Sequence, residues 1–401
     1  MNKLIVFSAL LLTANLCLAQ ETVKNHENSE YRFTKIAHLD ASPVQSQGYT
    51  GTCWSFSALS FFESELIRKG NPNPPILSEM YVVRKAYESK AEKYVRLDGK
   101  GNFSEGGAFH DIPYVIRRYG IVPADVYKGL NYGSERHNHG QMYAAMNGLV
   151  EGVVKEMGNL RGGELAPNWK KGLAGILDSY LGEDPTEFEY DGKKYTPRTY
   201  ANSLGLDMND YVSLTSFTNH TDYEQCYLAI PDNWAWGTSY NVPLNDLLEV
   251  TKWALEHGYT IAWGADVSEK GFSFRNGIAI APEDLSTISV SGRDNRNFSD
   301  AGADKKSNAF MSPVKELNVT RELRQEGYDN KTTTDDHGMH ITGLYKDQNG
   351  THYFLVKNSW GTGNYPEGYL YVSENYFKWK TINIYLHKDG IPKDLRKKLK
   401  L

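Results

Sequence analysis

Cysteine is scarce in this sequence: three residues in 401, at positions 17, 53 and 226. That excludes a disulfide framework, and an exported chain of this size is large enough to be stable on its apolar core alone. Basic charge is not in excess either. Lys and Arg number 44 against 49 Asp and Glu, a net charge of -5, which leaves no electrostatic footprint for nucleic acid; the basic run RKKLKL near the C-terminus reads as a solvated helix end. No stable membrane insertion is expected. Lys3 precedes an apolar run over residues 4–18, the small residues Cys17 and Ala19 suit cleavage before Gln20, and the polar stretch QETVKNHENSE follows. This is the pattern of a secretory signal peptide over residues 1–19, and the run is short for a membrane span. Leu16, before Cys17, argues against lipid attachment. The expectation is a periplasmic or secreted protein whose mature form keeps two thiols, Cys53 and Cys226.

What is present is an ordinary globular composition, 40% hydrophobic and 23% charged, with 27 Tyr and 8 Trp. From Cys53 to Lys69, apolar residues Phe56, Leu59, Phe62, Leu66 and Ile67 recur at helical spacing and Gly70 supplies a stop. Further helices are predicted after Ser78, a candidate N-cap, and from Asp111. Residues 131–238 mix helical stretches (MYAAMNGLVEGVVKEM, WKKGLAGILDSYLG) with aromatic-rich irregular segments, and read as an insertion between an N-terminal helical part, 20–130, and a C-terminal part, 239–401. No internal repeat is visible. In the C-terminal part a helix, LNDLLEVTKWALEHG, feeds a buried strand, YTIAWGADV. Residues 285–335 are polar, as a long surface excursion would be. Three strands then follow in HITGLY, THYFLVKNSW and GYLYVS. Helices first and antiparallel strands last predict an α+β enzyme with two facing halves.

Cys53 falls on the first turn of the first helix, where unpaired backbone N–H groups favour a thiolate. A lone Cys is ordinarily a small core hydrophobe. Three companions argue otherwise. Gln47, six residues earlier in a Gly-containing loop, would offer an amide donor beside the Cys53 N–H to a developing oxyanion. His337, in DDHGMHITGLY, precedes a predicted strand and would serve as the base, whereas His340 falls inside that strand. In KNSWG, Asn358 would hold the far imidazole nitrogen and Trp360 would keep water from that bond. His137 and His139 form a loop pair expected to be solvent-exposed, since two imidazoles without a third ligand make a poor metal site. Cys226 reads as a buried bystander.

Together QGYTGTCW, DHGMHITGLY and KNSWG, in the order Gln, Cys, His, Asn, resemble the papain-like cysteine peptidases. LSEMY at 77–81 and EGGAFHDIPYVIRRYGIV at 105–122 are similar to that family too, which implies that Gly106 and Gly107 offer backbone hydrogen bonds to substrate. Thr50 stands where many members carry a disulfide Cys. The papain signature places its His and Asn roughly 130–150 residues after the Cys, far less than the spacing of Cys53 and His337, so large insertions intervene. Both departures resemble the bleomycin hydrolase and aminopeptidase C branch. The resemblance implies a papain-like fold, a thiol-dependent peptidase acting on peptide substrates, and no metal or organic cofactor. Members of that branch usually continue into a C-terminal tail that restricts the cleft to a substrate N-terminus. Here the sequence stops at Leu401, so an open-cleft endopeptidase stands beside the aminopeptidase as an expectation. An inactive peptide-binding scaffold and an acyltransferase are the alternatives from other classes. Nothing in the sequence fixes the oligomeric state.

Overall fold

The computed structural model describes residues 22–160, 163–291 and 304–401; the expected signal peptide lies outside them. Helix α1 (Cys53–Arg68) is buried from Cys53 to Leu66. A helix covered on all sides must satisfy its polar side chains internally. Ser57 Oγ donates to the Cys53 carbonyl at 2.7 Å, Ser64 Oγ to the Asp40 carbonyl at 2.9 Å, and Ser60 meets His340 Nδ1 at 2.9 Å. These small residues let α1 lie directly against the strand His337–Lys346.

On its other side α1 packs against α2 (Glu79–Arg96) and α3 (Asp111–Tyr119). Ser78 caps α2 by accepting from the Tyr81 N–H at 3.0 Å. Helices α4 (Gly140–Met157) and α5 (Asn168–Leu181) pack on each other and on α2, feeding Met142, Met146, Leu173 and Leu177 into the same apolar cluster as Phe61 and Phe62.

The second half is built on a twelve-stranded sheet. Its centre runs in the order Tyr211–Thr215, Thr381–His387, Ile261–Ala265, His337–Lys346, His352–Lys357, Tyr369–Ser373, each antiparallel to the next. Phe33–His38 pairs with the far end of His337–Lys346. The helix Leu244–Glu256 and the short helices Glu374–Lys380 and Lys393–Leu399 add to this half's own apolar cluster. The fold class is thus α+β.

Two sequence expectations need adjustment. Part of the stretch 131–238, read as an insertion, lies inside the main sheet, because Tyr211–Thr215 pairs with Thr381–His387. The polar excursion 285–335 is partly core: Phe310 and Arg324 are fully buried, and Arg324 Nε donates to the Ser216 carbonyl at 2.6 Å. Polar composition concealed this, since an Arg can be interior when carbonyls receive its N–H groups. Among the described residues no helix is long and apolar enough to cross a membrane.

Phe61 joins the two halves, its ring lying 5.7 Å from Tyr211 and 6.1 Å from Tyr385 with no exposed surface. Phe61→Ala is expected to destabilise the protein by about 3–5 kcal/mol, read as a lower denaturant midpoint. A loss below about 0.5 kcal/mol, the level of an ordinary surface change, would mean that this seam does not hold the halves together.

Candidate active site

Cys53 is the first residue of α1 and His337 the first of the strand that crosses it. The Gly338 N–H points at Cys53 Sγ, 3.4 Å away. This approach requires glycine: a Cβ at 338 would lie 2.8 Å from Ser57 Oγ and 3.3 Å from Trp54 Cα. Cys53 and His337 line one pocket, and neither Cys53 nor Cys226 is in a disulfide.

His337 Nε2 lies 2.7 Å from Asn358 Oδ1. The same oxygen accepts the Ser359 backbone N–H at 2.8 Å. An amide N–H can only donate, so this bond fixes which end of the Asn358 carboxamide is the oxygen, and Nε2 must then carry the hydrogen in the imidazole bond. Nδ1 is left as the basic nitrogen of the ring. Trp360, 2% exposed, lies 4.6 Å from the His337 ring, centroid to centroid, and is backed by Phe272 and Phe274. The Nε2–Oδ1 bond is shut away from water.

Gln47 is fully buried, with Oε1 accepting from Ser359 Oγ at 2.7 Å and Nε2 donating to the Thr50 carbonyl at 2.6 Å. Its loop is stitched to the Asn358 segment by backbone bonds, Gln47 N to Ser359 O at 3.0 Å and Gly361 N to Gln45 O at 3.2 Å. Ser359 therefore bears on both Gln47 and Asn358. Sequence reasoning passed over it, although it stands in the same KNSWG motif.

Gly107 lines the pocket beside Cys53, and Gly106 stands behind it, its carbonyl accepting from Lys90 Nζ at 2.5 Å. The structure thus gathers Cys53, Trp54, His337, Gly338 and Gly107 around one pocket, with Asn358, Trp360 and Gln47 braced next to it.

Other candidates lie elsewhere. His340 is buried on the same strand, and desolvation holds it well below the usual imidazole range. It belongs to a polar chain in which Lys357 Nζ donates to Ser60 Oγ at 2.7 Å and to Ser42 Oγ at 3.1 Å, and Ser42 donates to Glu63. Burial pulls Lys357 down to about 8 and pushes Glu79, beside this cluster, up to about 8. His139 corrects an expectation: it is wholly buried rather than solvent-exposed. Desolvation lowers it to about 3 and His137 to about 4, so both are neutral rings. Their backbone braces the Gln47 loop, with the Tyr49 N–H donating to the His137 carbonyl at 2.8 Å. Among the described residues no group of three or more His, Cys, Asp or Glu is placed to hold a metal. Cys226 is half-buried, donates to the Ser239 carbonyl at 3.4 Å, and is pushed up to about 11 by burial.

Residues 316–401 match the model of the Peptidase C1-like family. Aminopeptidase G of Lactobacillus delbrueckii subsp. lactis is 24% identical, over 90% of this chain and 85% of its own. Aminopeptidase C of Listeria innocua is 22% identical over 98% of this chain and 90% of its own, and bleomycin hydrolase of Gallus gallus 22% over 95% and 87%. In three dimensions the chain is similar to PepW from Lactobacillus rhamnosis, with a TM-score of 0.68 at 20% identity, covering 92% of this chain and 84% of that one.

The close approach at Gly338 is testable by itself. Gly338→Ala is expected to push the His337 strand off α1 and cost about 1–3 kcal/mol of stability, the usual penalty of overpacking, measured by denaturant unfolding. An unchanged midpoint would mean that the strand and helix are not held this tightly.

Proposed function

We propose that this chain, which resembles the Peptidase C1-like family over residues 316–401, is a cysteine-type peptidase that hydrolyses peptides from their amino-terminal end, with Cys53 as nucleophile, His337 as acid and base, and Asn358 as the residue that orients His337. The observation that carries the reading is the pairing of His337 Nε2 with Asn358 Oδ1 at 2.7 Å beside a thiol at a helix N-terminus. With Nε2 committed to Asn358, the proton exchanged with the thiol and with substrate travels through Nδ1.

The steps follow from that arrangement. Cys53 transfers its proton to His337 Nδ1, and the thiolate, favoured at the start of α1, attacks the carbonyl carbon. The oxyanion forms between the Cys53 N–H and the Gln47 amide, which Ser359 and Thr50 hold in place. His337 then donates its proton to the leaving amine as the C–N bond breaks, leaving a thioester on Cys53. Water, deprotonated by His337, hydrolyses the thioester and releases the acid. Trp360 keeps solvent from the Nε2–Oδ1 bond.

The amino-terminal preference is supported by relatives whose names are those of aminopeptidases. Export to a periplasmic or extracellular location, by way of the leader over residues 1–19, is the second part of the proposal. It is supported by the charge and apolar pattern there, and intact-mass analysis of protein recovered from the producing cell tests it: a chain beginning at Gln20 is expected.

Cys53→Ala is expected to abolish turnover while leaving the unfolding midpoint in place. His337→Ala should cost on the order of 10²–10⁴-fold in kcat, and Asn358→Ala less, since an orienting residue contributes less than the acid and base it serves. Gln47→Ala should cost about 10²–10³-fold, the usual loss of one oxyanion donor. Substantial activity in Cys53→Ala would remove the nucleophile assignment, and Asn358→Ala falling below His337→Ala would remove the orienting role.

A further inference from the structure

The pocket shared by Cys53 and His337 has a lopsided charge. Asp232, Asp335 and Asp336 line it, and no Lys or Arg does. The three carboxylates are not equivalent. Asp336 is engaged by its own loop, accepting from Thr334 Oγ1 at 2.6 Å and from the Ser268 N–H at 3.2 Å. Asp232 takes a long bond from Asn102 Nδ2, 3.4 Å. Asp335 has no hydrogen-bond or ion-pair partner among the described residues. Burial, with the charges of Asp232 and Asp336, holds its carboxyl well above the ordinary carboxylate range.

Asp335 is half-buried and shares the pocket with two other carboxylates; Lys90 offsets the charge of Asp232, but among the described residues no cation is set against Asp335, an unfavourable arrangement unless something positive enters. What enters this pocket is substrate. Asp232 also takes space from it: a Cβ built on Gly106 would lie 2.1 Å from the Asp232 carboxylate. The side chain therefore stands against the backbone along which a longer peptide would extend beyond Gly107. Both Asp232 and Ile230, which lines the pocket beside it, come from the segment between α5 and the strand Thr238–Asn241.

Covalent geometry decides which cation fits. The amino nitrogen of a peptide's first residue is two bonds from its carbonyl carbon, about 2.5 Å away, so a group that reads it must share the pocket of the attacking thiol. Asp335 does, two residues before His337. A Lys side-chain ammonium lies several bonds further from the scissile carbonyl.

Resting on the peptidase reading above, we propose that Asp335, with Asp232 beside it, anchors the α-ammonium of the substrate's first residue. Asp232 at the same time closes the cleft beyond that residue. Restriction to amino-terminal cleavage is thereby built from side chains within the body of the fold.

The test compares one aminoacyl fluorogenic amide with a free and with an acetylated amino terminus, in the wild-type chain and in Asp335→Asn and Asp232→Asn. The readout is the ratio of kcat/KM for the free over the acetylated form. A partly unfolded variant lowers both rates equally and leaves the ratio unchanged. The wild-type ratio is expected to be well above one, and Asp335→Asn to reduce it 10- to 100-fold, mainly through KM for the free amine. Asp232→Asn should reduce it less. A wild-type ratio near one, or a ratio that both variants leave intact, overturns the anchor while the peptidase reading stands. Preference for acetylated peptides with an internal Lys, lost in Asp335→Asn, overturns it in favour of side-chain recognition. Cleavage of neither form, with Cys53→Ala indistinguishable from wild type, would instead sink the peptidase reading itself.

Discussion

The site depends on one short antiparallel contact, between residues 45–47 and 359–361. Ser46 pairs with Trp360, and the two backbone bonds that flank the pair tie the loop before α1 to the end of the strand His352–Lys357. Each bond contributes only about 1 kcal/mol net, but the segments they join carry Gln47 on one side and Asn358 on the other. Ser359 completes the coupling, since its hydroxyl engages the Gln47 carboxamide and its N–H engages Asn358. The proposed oxyanion donor and the proposed imidazole support are therefore set by the same few atoms. Displacing this contact would move both.

Behind it lies a polar seam within an otherwise apolar interface. Lys357, one residue before Asn358, reaches across to Ser42 and Ser60, and Glu63 of α1 accepts from Ser42 and from the Leu77 N–H at 2.8 Å. Buried charges of this kind are weak sources of stability, because desolvation offsets most of their attraction. Their effect here is positional: they tie the strand that leads into Asn358 to the helix that begins with Cys53. The same requirement explains why α1, buried nearly throughout, carries Ser and Glu at positions that apolar patterning alone would fill with Leu.

The parts legible in the sequence were those with local signals. Apolar spacing after Cys53 marked α1, Ser78 marked the start of α2, and three short motifs marked the residues that now lie around one pocket. What was not legible depends on contacts distant in sequence. The placement of Tyr211–Thr215 in the main sheet is fixed by a partner at 381–387. The burial of His139 follows from its packing beside Tyr87, 52 positions away. The imidazole tautomer rests on a backbone N–H at Ser359. Asp335 and Asp232 showed no pattern at all, since an unpaired carboxylate is recognised only by which groups stand around it.

The central claim is that Cys53 and His337 share a proton so that the thiol is ionised at working pH. It is tested most directly by following thiolate ultraviolet absorbance against pH in the reduced protein, with Cys53→Ala as the subtracted control. Cys226, pushed up to about 11, contributes nothing near neutrality. The account predicts one thiolate persisting well below the pKa of about 8.5 of a free cysteine. Absorbance that appears only at or above that value would contradict it.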